Sequence, residues 1–286
     1  MYISIFIPLF FLFSSLHARS HWDEEQVVDY VHYSELQRRS SWHLLSQVSF
    51  RGDENVLDVG CGDGRNTAWI ARLVRQGNVT GIDPSKDMIS WAQKQYHPFD
   101  FPNISFIQGD ANHLPTGQFD VITSLFSLHI VKDRQSAMQG FFDHLTEGGY
   151  VFAVTPPAPN NAEFAEAVHE TMHDSRWLDY FKHFQSPFRF EELHAYIKYF
   201  ENAGFSVLHA KDVAAVDPFV NRDEAINWFR GTWPHIHYLP GELQREFIGE
   251  MIDRYIEKRS SACSQEGVIY FYWGHYEFIA QKKGIL

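Results

Sequence analysis

The stretch Val56-Leu57-Asp58-Val59-Gly60-Cys61-Gly62-Asp63-Gly64 decides the fold of this chain. Its first four residues predict a buried strand that ends at Gly60, and Asn66–Leu73 has the residue spacing of a helix. Glycines between a strand and a helix permit a tight turn, and they let backbone N–H groups approach a ligand closely. The G-x-G-x-G spacing differs from the G-x-G-x-x-G that is usual in nicotinamide enzymes, which disfavours a dehydrogenase. The stretch therefore predicts a ligand-binding loop at the end of a buried strand.

From this loop to Val154, short apolar runs alternate with residues at helical spacing. Further strands are predicted at Val79–Ile82, Ile104–Ile107, Phe119–Thr123 and Tyr150–Val154. One helix is predicted to take Pro84 as its first residue and to continue to Gln95, and another to run from its cap Asp133 to Leu145. Strands that alternate with helices at this spacing indicate βαβ units and a parallel sheet.

After Thr155 the pattern becomes mainly helical. Helices are predicted at Ala162–Phe181, Phe190–Ala203, Asn221–Phe229 and Glu242–Lys258. A sixth strand is predicted at Phe205–Val213, and the last β-structure at Val268–Tyr272 and Tyr276–Gln281. The second half of the chain is therefore expected to extend the sheet and to add helices to it.

Polar residues follow the predicted strands at the points where a ligand would bind. Asp83 ends the second strand, 19 residues past Gly64, where a carboxylate can bond both hydroxyls of a ribose. Asp110 ends the third strand, where it could meet an adenine amino group. Ser124 and Leu125 end the fourth strand, which lies beside the first if the strand order reverses there. Ligands of doubly wound folds bind at that reversal.

These motifs together resemble a class I S-adenosylmethionine-dependent methyltransferase. The resemblance covers roughly residues 50–155 and includes the glycine stretch, Gly81–Ser85 with Met88, and Gly109–Ala111. It implies an α/β fold with a doubly wound, Rossmann-like, seven-stranded sheet in the order 3-2-1-4-5-7-6, strand seven antiparallel, plus a helical lid. It implies S-adenosyl-L-methionine as the cofactor, with Gly60 and Gly62 along its methionine part. It further implies that the other cofactor-binding residues are Asp58, Cys61, Asp83 at the ribose, Pro84, Met88 on the adenine, Asp110 at its amino group, Ala111, Ser124 and Leu125.

Three shorter segments are similar to enzymes that methylate carboxylates. Tyr33–Arg38 resembles the start of malonyl-carrier-protein methyltransferases, Ser124–Asp133 resembles juvenile-hormone-acid methyltransferases, and Trp228–Thr232 resembles trans-aconitate methyltransferases. The last two families have Trp near the position of Ile130, so the pocket wall differs here. The resemblance implies O-methylation of a carboxylate on a small molecule or a carrier-bound acid. No catalytic residue is assigned with certainty, and the substrate-positioning candidates are Gln37, His129, Arg230 and Trp233.

The expected domain plan follows from the same motifs. Residues 21–50 are expected to form an N-terminal helical lid, residues 51–155 the cofactor-binding core, and residues 156–286 the rest of the sheet with a substrate lid at about 215–262. Residues 1–20 are mostly apolar and too short for a bilayer span of about 20 apolar residues. They fit a signal peptide, an anchor or an upstream start, and only they could contact a membrane. Because the methyl donor is made in the cytosol, we expect the catalytic part there.

A competing motif is His169-Glu170-Thr171-Met172-His173, which matches the H-E-x-x-H pattern of zinc metalloproteases. Such a site needs a third ligand, and only Glu191 and Glu192 offer one, without supporting context. We therefore expect no metal, although a protease remains an alternative. A protein that binds the cofactor without catalysing transfer is the other alternative.

Composition narrows the partners of the chain. It has 286 residues and a formal net charge of −12, from 24 basic and 36 acidic residues, which disfavours nucleic acid as a partner. Its two cysteines, Cys61 and Cys263, are expected to be reduced thiols. The oligomeric state cannot be inferred from the sequence.

Overall fold

A computed structural model describes residues 24–158 and 161–283, and the predicted hydrophobic segment 1–20 lies outside these ranges. The described chain forms one seven-stranded sheet in the order β3-β2-β1-β4-β5-β7-β6, with β7 antiparallel to both of its neighbours. The other neighbouring strands are parallel. This confirms the predicted fold and strand order. The strands are β1 (Asn55–Val59), β2 (Asn78–Asp83), β3 (Ile104–Gln108), β4 (Phe119–Leu125), β5 (Leu145–Thr155), β6 (Ser206–Phe219) and β7 (Ile269–Gln281).

Helices cover both faces of the sheet and fill the connection between β6 and β7. They are α1 (Glu24–Tyr33), α2 (Glu35–Leu45), α3 (Arg65–Leu73), α4 (Lys86–Gln95), α5 (Arg134–His144), α6 (Ala162–His173), α7 (Leu178–Phe181), α8 (Leu193–Asn202), α9 (Arg222–Thr232) and α10 (Gly241–Lys258). Short 3₁₀ turns lie at Leu128–Ile130, Pro234–Tyr238 and Ser260–Ala262.

Two apolar layers hold the helices against the sheet. On one face, Phe141 of α5 and Phe200 of α8 pack with Phe278 of β7 in a core that also includes Leu57 and Ile122. On the other face, side chains of α2 and α3 pack on β1, β4 and β5; this core includes Leu44, Ile70, Val56, Val121 and Val154. Burial of such side chains contributes about 1.5–3 kcal/mol each, which is what fixes α2 and α3 beside the ends of β1 and β4.

Three predicted elements differ from the structure. The prediction of one helix over Ala162–Phe181 is wrong, because the chain bends between α6 and α7. The bend lets the fully buried Trp177 pack against Phe247 and donate its indole N–H to Glu250 Oε2 at 2.7 Å. The last β-structure is one continuous strand rather than two, because Gly274 continues the pairing with β6. Pro84 is not the first residue of α4, since Ser85 is its N-cap and accepts from Met88 N at 3.2 Å.

The connection between β6 and β7 forms its own apolar core. Phe229 of α9, and Phe247 and Met251 of α10, are buried there. Helix α1 packs on α9 so closely that a Cβ on Gly231 would lie 2.8 Å from the carbonyl oxygen of Asp29. The N-terminal helix and this insert are therefore in direct contact.

Two further expectations concern cysteines and the membrane. Cys61 is buried, Cys263 is half-buried, and the structure has both as free cysteines. Within the described ranges, no helix combines the length and the apolar character that crossing a bilayer would require.

Candidate active site

The predicted site residues gather at the carboxyl ends of β1, β2 and β4. Strand β1 lies between β2 and β4 and pairs with both in parallel. The chain runs outward from β1 to β3 on one side and from β4 onward on the other, so the strand order reverses between β1 and β4. This is where ligands bind in doubly wound sheets.

The glycine loop after β1 is held tightly between its neighbours. The backbone N–H groups of Gly60 and Cys61 both donate to the carbonyl oxygen of Ile82, at 2.8 and 2.9 Å. Gly60 has φ +76°, and a Cβ there would lie 2.3 Å from Ser127 Cβ. The next glycine, Gly62, is the more open one, since a Cβ there would meet only a ring carbon of Tyr30, at 3.8 Å. The loop therefore presents bare backbone to the space in front of the sheet.

Asp83 joins the glycine loop to the start of α4. Its Oδ2 accepts from Gly62 N at 3.0 Å and its Oδ1 accepts from Ser85 N at 2.8 Å. Burial raises the pKa of Asp83 to about 6, against the opposing effect of these two amides. A nearly buried carboxylate with a raised pKa, at the end of a strand, is a candidate ligand-binding group.

Asp58 is hydrogen-bonded to neighbouring elements through both of its carboxylate oxygens. Its oxygens accept from the hydroxyls of Thr67 at 2.6 Å and Thr123 at 2.7 Å, and the residue is buried. Burial raises its pKa in spite of these two hydrogen bonds. Both carboxylate oxygens thus have partners on α3 and β4, so Asp58 joins β1 to these elements beneath the loop.

The predicted adenine side lies at the ends of β2 and β3. Met88 and Ala111 are buried, and Pro84 O accepts from the side chain of Gln108 at 3.0 Å. Asp110 is half-buried and accepts from Asn112 N at 2.8 Å and from His113 Nδ1 at 3.0 Å. Partial burial is the largest single effect on the Asp110 pKa and raises it, but these hydrogen bonds together outweigh it and lower the pKa. Asp110 is therefore an ionised acceptor just after β3.

The end of β4 packs directly behind the glycine loop. Ser124 Oγ lies 2.6 Å from Ser127 Oγ, which donates to the carbonyl oxygen of Val59 at 2.8 Å. Phe126, between them, has φ +60°, which is uncommon for a residue with a side chain. These bonds fix the β4 end and the loop as one unit. Ser124 and Leu125 are buried at this junction.

Helices α1 and α2 form a cleft with the glycine loop. The cleft encloses about 270 Å³ of empty space, its open mouth included, and Gln37, Asn66 and Leu125 line it. Arg65 closes one side, donating to Asp63 at 2.5 Å, to Val31 O at 2.7 Å and to Ser34 Oγ at 2.9 Å. In this cleft the side-chain oxygens of Gln37 and Asn66 are buried and have no hydrogen-bond partner among the described residues. Both oxygens can therefore accept a hydrogen bond from a bound ligand.

His129 lies on an aromatic wall. It is buried, and its ring is 4.9 Å from that of Phe188 and stacks on Phe190 at 6.0 Å. Burial, aided by the charge of Arg134, lowers the pKa of His129 to about 3, so the imidazole is neutral. Its Nδ1 is buried and has no partner among the described residues.

Trp233 belongs to the same region. Its ring stacks on His235 at 3.9 Å, and His235 in turn lies 6.5 Å from Phe188. Burial lowers the pKa of His235 to about 3 as well. The structure thus links His129 to Trp233 through Phe188 and His235, two residues that the sequence analysis missed. The only local signal was that His235 follows Trp233 by two positions. Gln37, by contrast, lies with the glycine loop.

Arg230 has a partner within the protein. Its guanidinium donates to Asp29 Oδ1 at 2.8 Å, which joins α9 to α1, and both side chains are partly buried. Arg230 thus has an acidic neighbour within the protein, while its buried Nε has no hydrogen-bond partner among the described residues.

We expect Arg230→Gln and Asp29→Asn to have matching effects. Each should lower the free energy of unfolding by about 1–2 kcal/mol, because each removes one end of a partly buried charged hydrogen bond. The double variant should cost less than the sum of the two. Denaturant titrations and substrate KM values measure this. A rise in KM for Arg230→Gln that Asp29→Asn does not share would show that Arg230 contacts the substrate.

The two histidines of the H-E-x-x-H segment lie on the surface of the protein. His169 and His173 are exposed on α6, with rings stacked at 4.0 Å, and His173 Nδ1 bonds the carbonyl oxygen of His169 at 2.7 Å. Glu170 accepts from Lys258 Nζ at 2.7 Å. Within residues 24–158 and 161–283, no third His, Cys, Asp or Glu joins this pair. Nothing in the structure supports the protease alternative.

Several known methyltransferases are similar to this chain. The family model described as a methyltransferase domain matches residues 56–149. Trans-aconitate 2-methyltransferase of Rhizobium etli is 27% identical over 252 residues, 84% of this chain and 92% of that protein. The enzyme of the same name from Deinococcus radiodurans is 32% identical over 137 residues, 48% of this chain and half the length of that protein. The YcgJ protein of Bacillus subtilis shares the fold, with a TM-score of 0.61 at 19% identity over 87% of this chain and all of that one.

The site fits the cofactor that the family uses. Asp83 is a carboxylate at the end of β2 beside the glycine loop, and Gly62 leaves space in front of that loop. The unpartnered oxygens of Gln37 and Asn66 suit the donors of an amino group. The matched family, the sheet order and this donor and acceptor set agree. The chain therefore belongs to the class I S-adenosylmethionine-dependent methyltransferases, and its cofactor is S-adenosylmethionine.

Proposed function

We propose that this enzyme methylates a carboxylate oxygen of a small organic acid. The observation that carries the proposal is the state of the two histidines on the aromatic wall. Burial lowers the pKa of both His129 and His235 to about 3. An imidazole with so low a pKa holds a proton poorly at neutral pH, so it makes a weak general base. A carboxylate, with a reference pKa of about 4, arrives without a proton and needs no general base, so it suits such a site.

The residues of the site are suited to alignment rather than to proton removal. When bound, S-adenosylmethionine supplies a methyl group already activated on a sulfonium, and transfer to a carboxylate cancels the two charges. The chain holds the cofactor at Asp83 and the glycine loop, and His129 can bond a substrate oxygen through the unpartnered Nδ1. The rings of Phe188 and Phe190 pack against that of His129 and form an apolar wall beside it. Alignment of this kind is enough for an in-line displacement by an ionised acceptor.

The names of the relatives support the same chemical class. Two relatives are trans-aconitate 2-methyltransferases, one of which aligns over most of both chains. We extend only the carboxylate class to this protein. We further propose that α1, α2 and residues 220–268, the insert between β6 and β7, cover the substrate. The supporting observation is the contact between α1 and α9, secured by Arg230 and Asp29. This modifies the expected lid of about 215–262, because β6 continues to Phe219.

A labelled-methyl screen tests the acceptor class. Purified enzyme and labelled S-adenosylmethionine would be incubated with mono-, di- and tricarboxylic acids, with acyl-carrier-bound acids, and with phenols and amines. We expect label in free acids, and mild alkali should release it as methanol, because methyl esters are hydrolysed where ethers and N-methyl groups are not. Label confined to carrier-bound acids would move the proposal to a carrier substrate. Alkali-stable product, or cofactor binding with no transfer to any acid, would contradict it.

His129→Gln separates the carboxylate from acceptors that need a base. Glutamine keeps a hydrogen-bond donor of similar reach but cannot act as a base, so we expect only a modest loss in kcat/KM. Removal of a true general base would instead cost about 100- to 10,000-fold. Steady-state kinetics, with cofactor binding and circular dichroism as controls for folding, make the measurement. A loss of the larger size in a folded variant would count against a carboxylate acceptor.

A further inference from the structure

Three side chains of types that bind metal ions, one from α2 and two from β7, lie close together. His43 of α2 places its Nδ1 2.6 Å from Glu277 Oε1 on β7. His275, two residues earlier on the same strand, places its Nε2 3.2 Å from that same oxygen. One ligand atom from each of the three residues lies within 4.8 Å of the other two. In the described part of the chain this is the only such group of three or more His, Cys, Asp or Glu residues.

The carboxylate at the centre of this cluster is buried in an unusual way. Glu277 is 0% exposed, and its Oε2 accepts no hydrogen bond from the described residues. His209 Nε2 is the group that faces Oε2, at 3.5 Å, and it too has no hydrogen-bond partner. Every ion-pair partner of Glu277 in the described ranges is a histidine, and none is Lys or Arg. Buried charges are normally paired or bound to a metal.

The spacing of these atoms suits a metal ion. Zinc binds His nitrogen and carboxylate oxygen at about 2.0–2.2 Å in tetrahedral geometry, which sets neighbouring ligand atoms about 3.3 Å apart. The His275–Glu277 contact of 3.2 Å matches that value, and the His43–Glu277 contact of 2.6 Å is shorter, as for ligands that bond each other.

We propose that His43, His275 and Glu277 bind a zinc ion. His209 is a positioning residue that orients the carboxylate through its second oxygen. Because the His43 side chain is 53% exposed, a water molecule can take the fourth position from the solvent side. This departs from the expectation of a metal-free chain.

The proposed site would fix α2 against the sheet. His43 lies on α2 and Glu277 on β7, so a shared ion ties the helix to a strand of the sheet. Gln37 is on the same helix and lines the cofactor cleft. On the other side, His275 contacts the ring of Phe126 at 6.4 Å, next to the residues that pack on the glycine loop. The ion is therefore expected to add stability and to steady the cofactor cleft, without touching the reacting groups.

Metal analysis of the full chain, purified without a metal-affinity tag, tests the proposal. After removal of metal with a chelator and addition of ZnCl₂, we expect about one zinc ion per chain by mass spectrometry of the elements. Glu277→Gln and His275→Gln should lose the ion, and His209→Gln should weaken binding about 10- to 100-fold. His173→Gln, which changes an exposed histidine of the other pair, is the matched control and should keep it. Substitution with CoCl₂ should give the visible absorption of a tetrahedral cobalt site.

A variant at the exposed ligand His43 serves as the control for folding. His43→Gln changes a side chain on the helix surface, so it should fold while losing most of the zinc affinity; circular dichroism checks the fold. Chelator should lower the thermal midpoint of the wild type but not of Glu277→Gln. The proposal is overturned if reconstituted wild-type chain binds no stoichiometric zinc, or if Glu277→Gln keeps it. In either case the cluster is a histidine–carboxylate hydrogen-bond network only.

Discussion

Replacing Asp83 with alanine is expected to weaken binding of S-adenosylhomocysteine by about 10- to 150-fold. The loss corresponds to about 1.5–3 kcal/mol for hydrogen bonds to a charged group. The carboxylate also holds the amides of Gly62 and Ser85, at 3.0 and 2.8 Å, so its removal leaves both of these donors without a partner. Isothermal calorimetry at pH 7.5 measures the affinity. Unchanged affinity in a folded variant would show that Asp83 does not bind the ribose.

The pH dependence of binding gives a second measure of the same group. Because burial raises the pKa of Asp83 to about 6, this carboxylate becomes protonated in the free enzyme as the pH falls through 6. Ribose hydroxyls donate to the ionised form, so affinity should fall about tenfold from pH 7.5 to pH 5. Asp83→Asn cannot titrate and is the matched control, with a flatter profile over that range. Equal profiles for the two proteins would show that another group governs the dependence.

Much of this site could be predicted because its parts are local in sequence. The glycine loop, the acid that ends β2 and the acid that ends β3 each follow a strand directly, and parallel strands bring their carboxyl ends to one edge. Once the alternation of strands and helices is recognised, Gly60, Asp83 and Asp110 must lie at the same edge. The strand order came from the family resemblance, since periodicity does not determine which strands are neighbours.

The parts that the sequence did not reveal depend on long-range packing. His43 and Glu277 are 234 positions apart, and Asp29 and Arg230 are 201 apart. Nothing in the local pattern says which face α2 turns toward β7, or that α1 lies on α9. The pairing of Arg230 with Asp29 therefore could not be anticipated, and the residue was expected to meet the substrate.

The two errors in predicted helix boundaries have identifiable physical causes. The spacing over Ala162–Phe181 is helical throughout, but burial of Trp177 against Phe247 outweighs the cost of breaking the helix. Pro84 fits a first helical position, yet Ser85 has the side-chain oxygen that caps the Met88 amide. Ser85 is therefore the N-cap, and α4 starts at Lys86 rather than at Pro84. In both places a tertiary contact or a cap decided between two patterns that the sequence alone allows.

Gly60→Ala should be the most damaging single change in the glycine loop. Alanine at φ +76° costs about 1–2 kcal/mol in backbone strain. The new Cβ would also lie 2.3 Å from Ser127 Cβ, and a shift of Ser127 would break its bonds to Val59 O and Ser124 Oγ. Overpacking of this kind adds about 1–3 kcal/mol. We expect a total loss of about 2–5 kcal/mol in unfolding free energy, with cofactor binding undetectable by calorimetry.

The contribution of the clash can be separated from that of the backbone. Gly267 has φ +83° and nothing within 4 Å of a Cβ, so Gly267→Ala carries the strain alone and should cost only about 1–2 kcal/mol. Ser127→Gly removes the atom that Gly60→Ala strikes, and the next nearest atom, Ser127 Cα, is 3.7 Å away. In a double-mutant cycle by urea denaturation, Ser127→Gly should therefore cost stability in the wild type and recover some in Gly60→Ala. If the two losses simply add, the close approach of the β4 end does not constrain Gly60, and backbone strain alone explains the glycine.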